Sequence, residues 1–155
     1  MIDMTQSFTP RSSGLPDPDY HAEFYTDVPS KRLMAWLIDT VLISLIVIAI
    51  SVPIFFIPLV FWPFFYAIVS FLYRWGSIAS RSATPGMRFM AIELIDRDGR
   101  PFDGATAFLH TAGYTFSVVT VPLQLISIIM MIATPRRQGL TDTILGTAAI
   151  NRRAR

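Results

Sequence analysis

The chain has 155 residues, within the range of a single domain. Of these, 52% are hydrophobic and 15% charged, against roughly 25% charged in soluble proteins, and the net charge is +2. That balance excludes an ordinary soluble fold. The scattering of the basic residues among acids and beside apolar blocks excludes a nucleic-acid surface, and the lack of cysteine excludes a disulfide framework, a thiolate metal site and a Cys nucleophile.

Residues 1–29 carry Asp3, Asp17, Asp19, Glu23 and Asp27 against Arg11 alone, interleaved with Pro10, Pro16, Pro18 and Pro29. This composition predicts a disordered acidic tail. It has neither the positive start nor the apolar core of a secretory signal, so the first hydrophobic helix is expected to act as its own membrane signal.

From Leu33 to Tyr73 the only charged residue is Asp39. The run is about twice the roughly 20 residues that one span requires. Two long transmembrane helices are therefore expected, at Lys31 to Val52 and Ile57 to Trp75. The break falls between Ser51 and Pro58, where proline removes a backbone donor and disfavours helix in the residue before it. Pro63 would lie inside the second helix and kink it. Trp36, Tyr66, Tyr73 and Trp75 are expected as interfacial or lipid-facing aromatics, and Ser44, Ser51 and Ser70 as small packing residues between helices.

Between Arg74 and Gly104 the charges return. Met87 to Asp96 reads as an extended, Ile-rich run followed by an Asp98-Gly99 turn, which predicts a short cytoplasmic β-hairpin; an interfacial amphipathic helix over residues 86–95 is the alternative. A third hydrophobic block, Ala105 to Thr134, has no Asp, Glu, Lys or Arg. It is long for one span and short for two. Lys31 and Arg32 before the first helix, the arginines after the second, and Arg136, Arg137, Arg152, Arg153 and Arg155 near the C-terminus all favour one side, the cytoplasm. An even number of crossings, with Pro122 near the apex of a re-entrant pair, satisfies them all; a plain three-helix topology is the other possibility. Residues 30–150 thus form an all-α membrane domain, and 151–155 a basic tail.

Asp39 is the costly residue, since an ionised carboxylate near a helix centre costs about 2.5–3.5 kcal/mol on insertion scales. Arg32 lies seven positions earlier, on the same helix face but roughly 10 Å away along the axis, too far for direct contact. Arg32, Asp39, the Thr84-Pro85-Gly86 segment, the Asp98-Gly99 turn and the ending Arg137-Gln138-Gly139-Leu140-Thr141-Asp142, followed by Gly146-Thr147, together resemble the RDD family over about residues 30 to 150. That family is named for one arginine and two aspartates, and Arg32, Asp39 and Asp142 match them. Where its members commonly carry a lysine after the Thr-x-Gly turn, this chain has Met87 and then Arg88.

The resemblance implies a multi-pass protein of the bacterial inner membrane, both termini cytoplasmic. It also implies transport of an unknown species as one role, with sodium/proton exchange linked to some relatives. Two readings of the charged triad follow. In one, Asp39 binds a monovalent cation, Asp142 assists and Arg32 tunes the carboxylate. In the other, Arg32 pairs with Asp142 as a structural clasp, to which arginine's planar fork of donors is suited. His110 is expected as a hydrogen-bonded structural residue or, less simply, a proton relay. No residue set suggests an enzyme, a cofactor or a metal centre. A chain this small would need a homo-oligomer or a larger membrane complex to enclose a pathway, and a non-catalytic membrane anchor or scaffold is the alternative function.

Overall fold

The computed structural model describes residues 13–54 and 60–152. The Pro58 side of the expected inter-helix break, the first part of the acidic tail, and Arg153 and Arg155 lie outside the described residues. The rest is mostly helical, with one small sheet.

Helix α1 spans Val28–Ser51, beginning with Pro29 in its first turn, where the missing N–H has no intrahelical partner to lose. Its buried residues Val28, Ala35, Asp39, Ile43, Val47 and Ser51 recur at helical spacing along one face. Leu33, Leu37, Val41, Leu45 and Ile48 are exposed on the others. A helix apolar on every side is built for a hydrocarbon environment. With the turn before it, Ala22–Ser51 contains an 18-residue stretch of mean hydropathy 2.5 and is the one single helix among the described residues long and apolar enough to cross a membrane.

Helix α2 spans Trp62–Arg81, ending later than expected, while the expected start at Ile57 lies outside the described residues. Pro63 sits in its first turn rather than inside it, so it initiates the helix instead of kinking it. The helix continues past Trp75 because the charged Arg74 is buried at its inner face instead of marking a helix end in water. Of the two long spans read from the sequence, α1 is one clear apolar span, and among the described residues α2 is not long and apolar enough by itself to be a second.

The chain then turns through Ser82, at positive φ, into α3, the short helix Pro85–Phe89. Thr84 caps it by accepting the Met87 N–H at 3.2 Å. Strand β1, Ile92–Ile95, follows. Its partner is not the segment beyond the Asp98-Gly99 turn but β2, Ala148–Asn151, paired antiparallel from Ile92 opposite Asn151 to Ile95 opposite Ala148. The expected hairpin is therefore replaced by a long-range pair. The turn itself forms, with Gly99 at positive φ, but only a single bridge joins Ile95 to Pro101. Proline has no N–H for a ladder, and helix begins again at Gly104, whereas Ala148, Ala149 and Ile150 supply apolar faces that bury completely or nearly so.

The third hydrophobic block forms two helices, α4 at Gly104–Val119 and α5 at Val121–Ala133, bent by 116° at Thr120. Pro122 lies in the first turn of α5. Ser117 Oγ donates to Gln124 Oε1 at 2.8 Å across the bend. Helix α6, Leu140–Leu145, then leads through Gly146 at φ 70° into β2.

The sheet, α3 and the start of α1 enclose a core of Val28, Ala35, Met87, Ile92, Leu94 and Ala149, among others. The later part of the acidic N-terminal segment joins this unit. Leu15 and Tyr25 pack on Ile95, Ala148 and Ile150, the Tyr25 hydroxyl donates to Pro16 O at 2.8 Å, and Gly14 N donates to Arg97 O at 2.8 Å. Two buried side chains are enough to dock a segment that net charge alone reads as a free tail.

Candidate functional site

The three residues singled out in the sequence divide between two clusters. The first surrounds Asp39, which is 1% exposed on the inner face of α1. Its Oδ1 accepts the Tyr73 hydroxyl and the Gly86 N–H, each at 2.8 Å. Its Oδ2 accepts the Thr84 hydroxyl at 2.6 Å and lies 3.7 Å from Arg74 Nη1. Arg74, not Arg32, is thus the cation beside Asp39. The Arg74 guanidinium also sits over the Tyr114 ring, 4.7 Å from its centroid, and the Tyr114 hydroxyl accepts the Trp36 indole N–H at 2.8 Å.

This geometry gives the Thr84-Pro85-Gly86 segment its reason. Thr84 donates its hydroxyl hydrogen to Asp39 while accepting from Met87, and Pro85 opens the short helix. Gly86 must approach α1 without a side chain. A Cβ there would stand 2.3 Å from the Ala35 carbonyl oxygen and 2.8 Å from Asp39 Oδ1. One aspartate therefore docks the start of α3 and the end of α2 onto α1.

The second cluster surrounds Asp142, also 1% exposed. Oδ2 accepts Arg32 Nη1 at 2.5 Å and the Gly139 N–H at 3.0 Å. Oδ1 contacts His110 Nε2 at 2.9 Å and accepts the Thr147 hydroxyl at 3.2 Å. Asp142 is the third residue of α6, and its reach back to Gly139 is the half of a capping box that a glycine can make. Gly139 is also constrained, because a Cβ would lie 2.6 Å from both Ser127 Oγ and Met131 Cε of α5. Burial works against ionisation of Asp142, but the Arg32 charge and the His110 contact outweigh it and hold the carboxyl well below the usual carboxylate range.

Arg32 and Asp142, 110 positions apart in sequence, therefore meet, while Asp39 joins neither. His110 is brought to Asp142. Tyr73 and Arg74, read from the sequence as interfacial and topogenic residues, are ligands of Asp39 instead. The available signal was Asp39 itself: a buried acid in an apolar helix requires a cation and donors, and Tyr73-Arg74 is the first polar pair after the second apolar run.

All four carboxylate oxygens have two donors or cations around them. Two further buried groups nearby, Arg74 Nε and His110 Nδ1, have no partner among the described residues.

The family model described as the RDD family matches residues 27–146, which includes both clusters except Thr147. No curated protein and no solved structure matches the chain. The match covers most of the chain and takes in Arg32, Asp39 and Asp142 together, so this protein belongs to the RDD family.

Proposed function

We propose that this protein is a non-catalytic, multi-pass membrane anchor, in which the two carboxylate clusters fasten a polar cap to the cytoplasmic ends of the helices. The cap consists of α3, α6 and the β1–β2 pair. It would give envelope partners, or further copies of the chain, a fixed surface to assemble on. One observation supports the reading: each carboxylate oxygen of Asp39 and Asp142 already has two donors or cations beside it, Asp39 Oδ2 holding the Thr84 hydroxyl with Arg74 at 3.7 Å, so that a further cation would have to displace a partner or share the site with Arg74. An ion site needs unsatisfied oxygens, whereas a clasp needs satisfied ones.

The same contacts support a topology. Asp142, which follows α5, bonds His110 early in α4 and Arg32 early in α1. The start of α1, the start of α4 and the end of α5 therefore share one level, and the α4–α5 pair leaves the bilayer on the side where it began. At 1.5 Å per residue, α5 is about 20 Å long, short of the roughly 30 Å hydrocarbon core. The pair is re-entrant in this reading, with both ends of the α1–α2 pair and the surrounding arginines on the cytoplasmic side of an inner membrane.

Ion-coupled transport is the competing reading, favoured by the unpartnered buried Arg74 Nε and His110 Nδ1. Sodium- and pH-dependent cation flux in proteoliposomes separates the two. We expect no flux above empty vesicles, and an Asp39→Asn variant that simply melts earlier. Flux by the parent protein that vanishes in a well-folded Asp39→Asn variant would overturn the anchor reading.

A further inference from the structure

Away from both carboxylates, a cavity of about 250 Å³ opens where the β1–α4 loop meets the first turns of α4 and the end of α6. Its loop side is charged. Asp96, Arg97 and Asp98 line it there, and Leu109 and Leu145 line it on the helical side, with Thr106 and Thr147 between. Among the described residues Arg97 forms no ion pair and the Asp98 carboxylate accepts no hydrogen bond. Asp96 uses one oxygen to accept the Asp98 and Arg100 N–H groups, which rigidifies the loop. The cavity is smaller than the roughly 300–1,000 Å³ of drug-sized pockets and far larger than one water requires.

We propose that this cavity binds the headgroup of a zwitterionic phospholipid with a primary ammonium, a phosphatidylethanolamine. The inference rests on the reading above only in placing the start of α4 at the bilayer surface. Each part of that ligand has a counterpart in the cavity lining. Among the described residues Arg97 is the sole cation lining the cavity, and it presents the planar donor fork that suits a phosphate. Asp98 and the second oxygen of Asp96 are acceptors for an ammonium. With one arginine and two aspartates the lining is net negative, so an anionic headgroup alone would leave a carboxylate uncompensated. A choline headgroup has no N–H to donate to Asp98, whereas a primary ammonium has three. Leu109, 55% exposed, lines the cavity from α4, and Ile144, 73% exposed, is the sequence neighbour of the lining Leu145 on α6. These give the acyl chains an apolar track that a water-soluble ester would not use.

Native mass spectrometry of the purified full chain in detergent tests this, with phosphatidylethanolamine, phosphatidylcholine and phosphatidylglycerol of identical acyl chains in competition. We expect ethanolamine-lipid adducts to be preferred on the order of tenfold, a difference one charged contact can supply. Arg97→Gln and Asp98→Asn should each lower that preference by a similar factor, and Arg81→Gln, an exposed cation elsewhere, should not. Both test residues are exposed, and melting temperatures check that each variant folds; should one melt early, the other carries the test. Equal adducts with all three lipids, preference unchanged in both variants, or displacement by free phosphoethanolamine at equal concentration would overturn the proposal. Loss of headgroup preference in a protein that still resists alkaline extraction from vesicles would sink this inference alone, whereas release by alkali would sink the membrane reading with it.

Discussion

Asp39 and Asp142 are equally buried, yet they are held by different chemistry. Asp39 is surrounded mainly by neutral donors, two hydroxyls and one backbone N–H, with its arginine at 3.7 Å. Asp142 is bonded directly by Arg32 at 2.5 Å and backed by His110. Asp39 therefore works as a docking post for a loop and a short helix, and Asp142 works as one half of an ion pair. The difference teaches that two buried aspartates need not share a physical role: what decides is whether the arginine bonds the carboxylate directly, as Arg32 does, or stands back at 3.7 Å behind neutral donors, as Arg74 does.

That distinction can be broken by amide substitution. Asp142→Asn would turn an NH2 group toward Arg32 or His110 and leave the Arg32 charge without a carboxylate. We expect it to cost about 3–5 kcal/mol, read as a large fall in melting temperature in detergent. Gly86→Ala should come next, at about 2–3 kcal/mol, because its Cβ meets the Ala35 backbone oxygen rather than a side chain that can yield. Asp39→Asn retains a carbonyl oxygen for Tyr73 and Gly86, and should cost about 1–3 kcal/mol, chiefly through Arg74. If it proves as costly as Asp142→Asn, the contrast between the clusters fails. Tyr73→Phe, which removes one donor of several, should cost about 1 kcal/mol.

Acid sharpens the same comparison. Because the Asp142 carboxyl is held low in the folded protein, its contribution is complete above the unfolded value of about 3.9. It is lost as pH falls from there toward the lowered native value, where the unfolded state binds the proton first. Melting followed from pH 6 downward, a range set by that reference value, should show a decline that Asp142→Asn lacks. Parallel curves for parent and variant would remove Asp142 from the acid response.

Several features were legible before the fold was known, and the failures have specific causes. The apolar run that became α1 and the break before Pro122 were legible because both depend on the chain within a few residues: unbroken hydropathy in one case, a missing N–H in the other. Pro63 was misplaced because the same missing N–H is tolerated in a first turn and disruptive in an interior, and local sequence does not say where the helix begins. The pairing of β1 was misread because a turn signal at Asp98-Gly99 says that the chain reverses, not that the returning segment is the better partner. Leu15 and Tyr25 were hidden inside an acidic segment whose net charge masked two docking residues.

By itself the sequence determined that this chain is too apolar and too poor in charge for an ordinary soluble fold, and that α1 is long and apolar enough to cross a membrane. It also determined that Asp39 would need partners, since a buried carboxylate without donors is too costly to keep. Only the tertiary structure decided which partners: Arg74, Tyr73 and Thr84 for Asp39, and Arg32 with His110 for Asp142. The reason is physical. Composition and spacing act over a helical turn or two, whereas the choice between two arginines and two aspartates depends on which helix faces meet across 34 to 110 positions of chain.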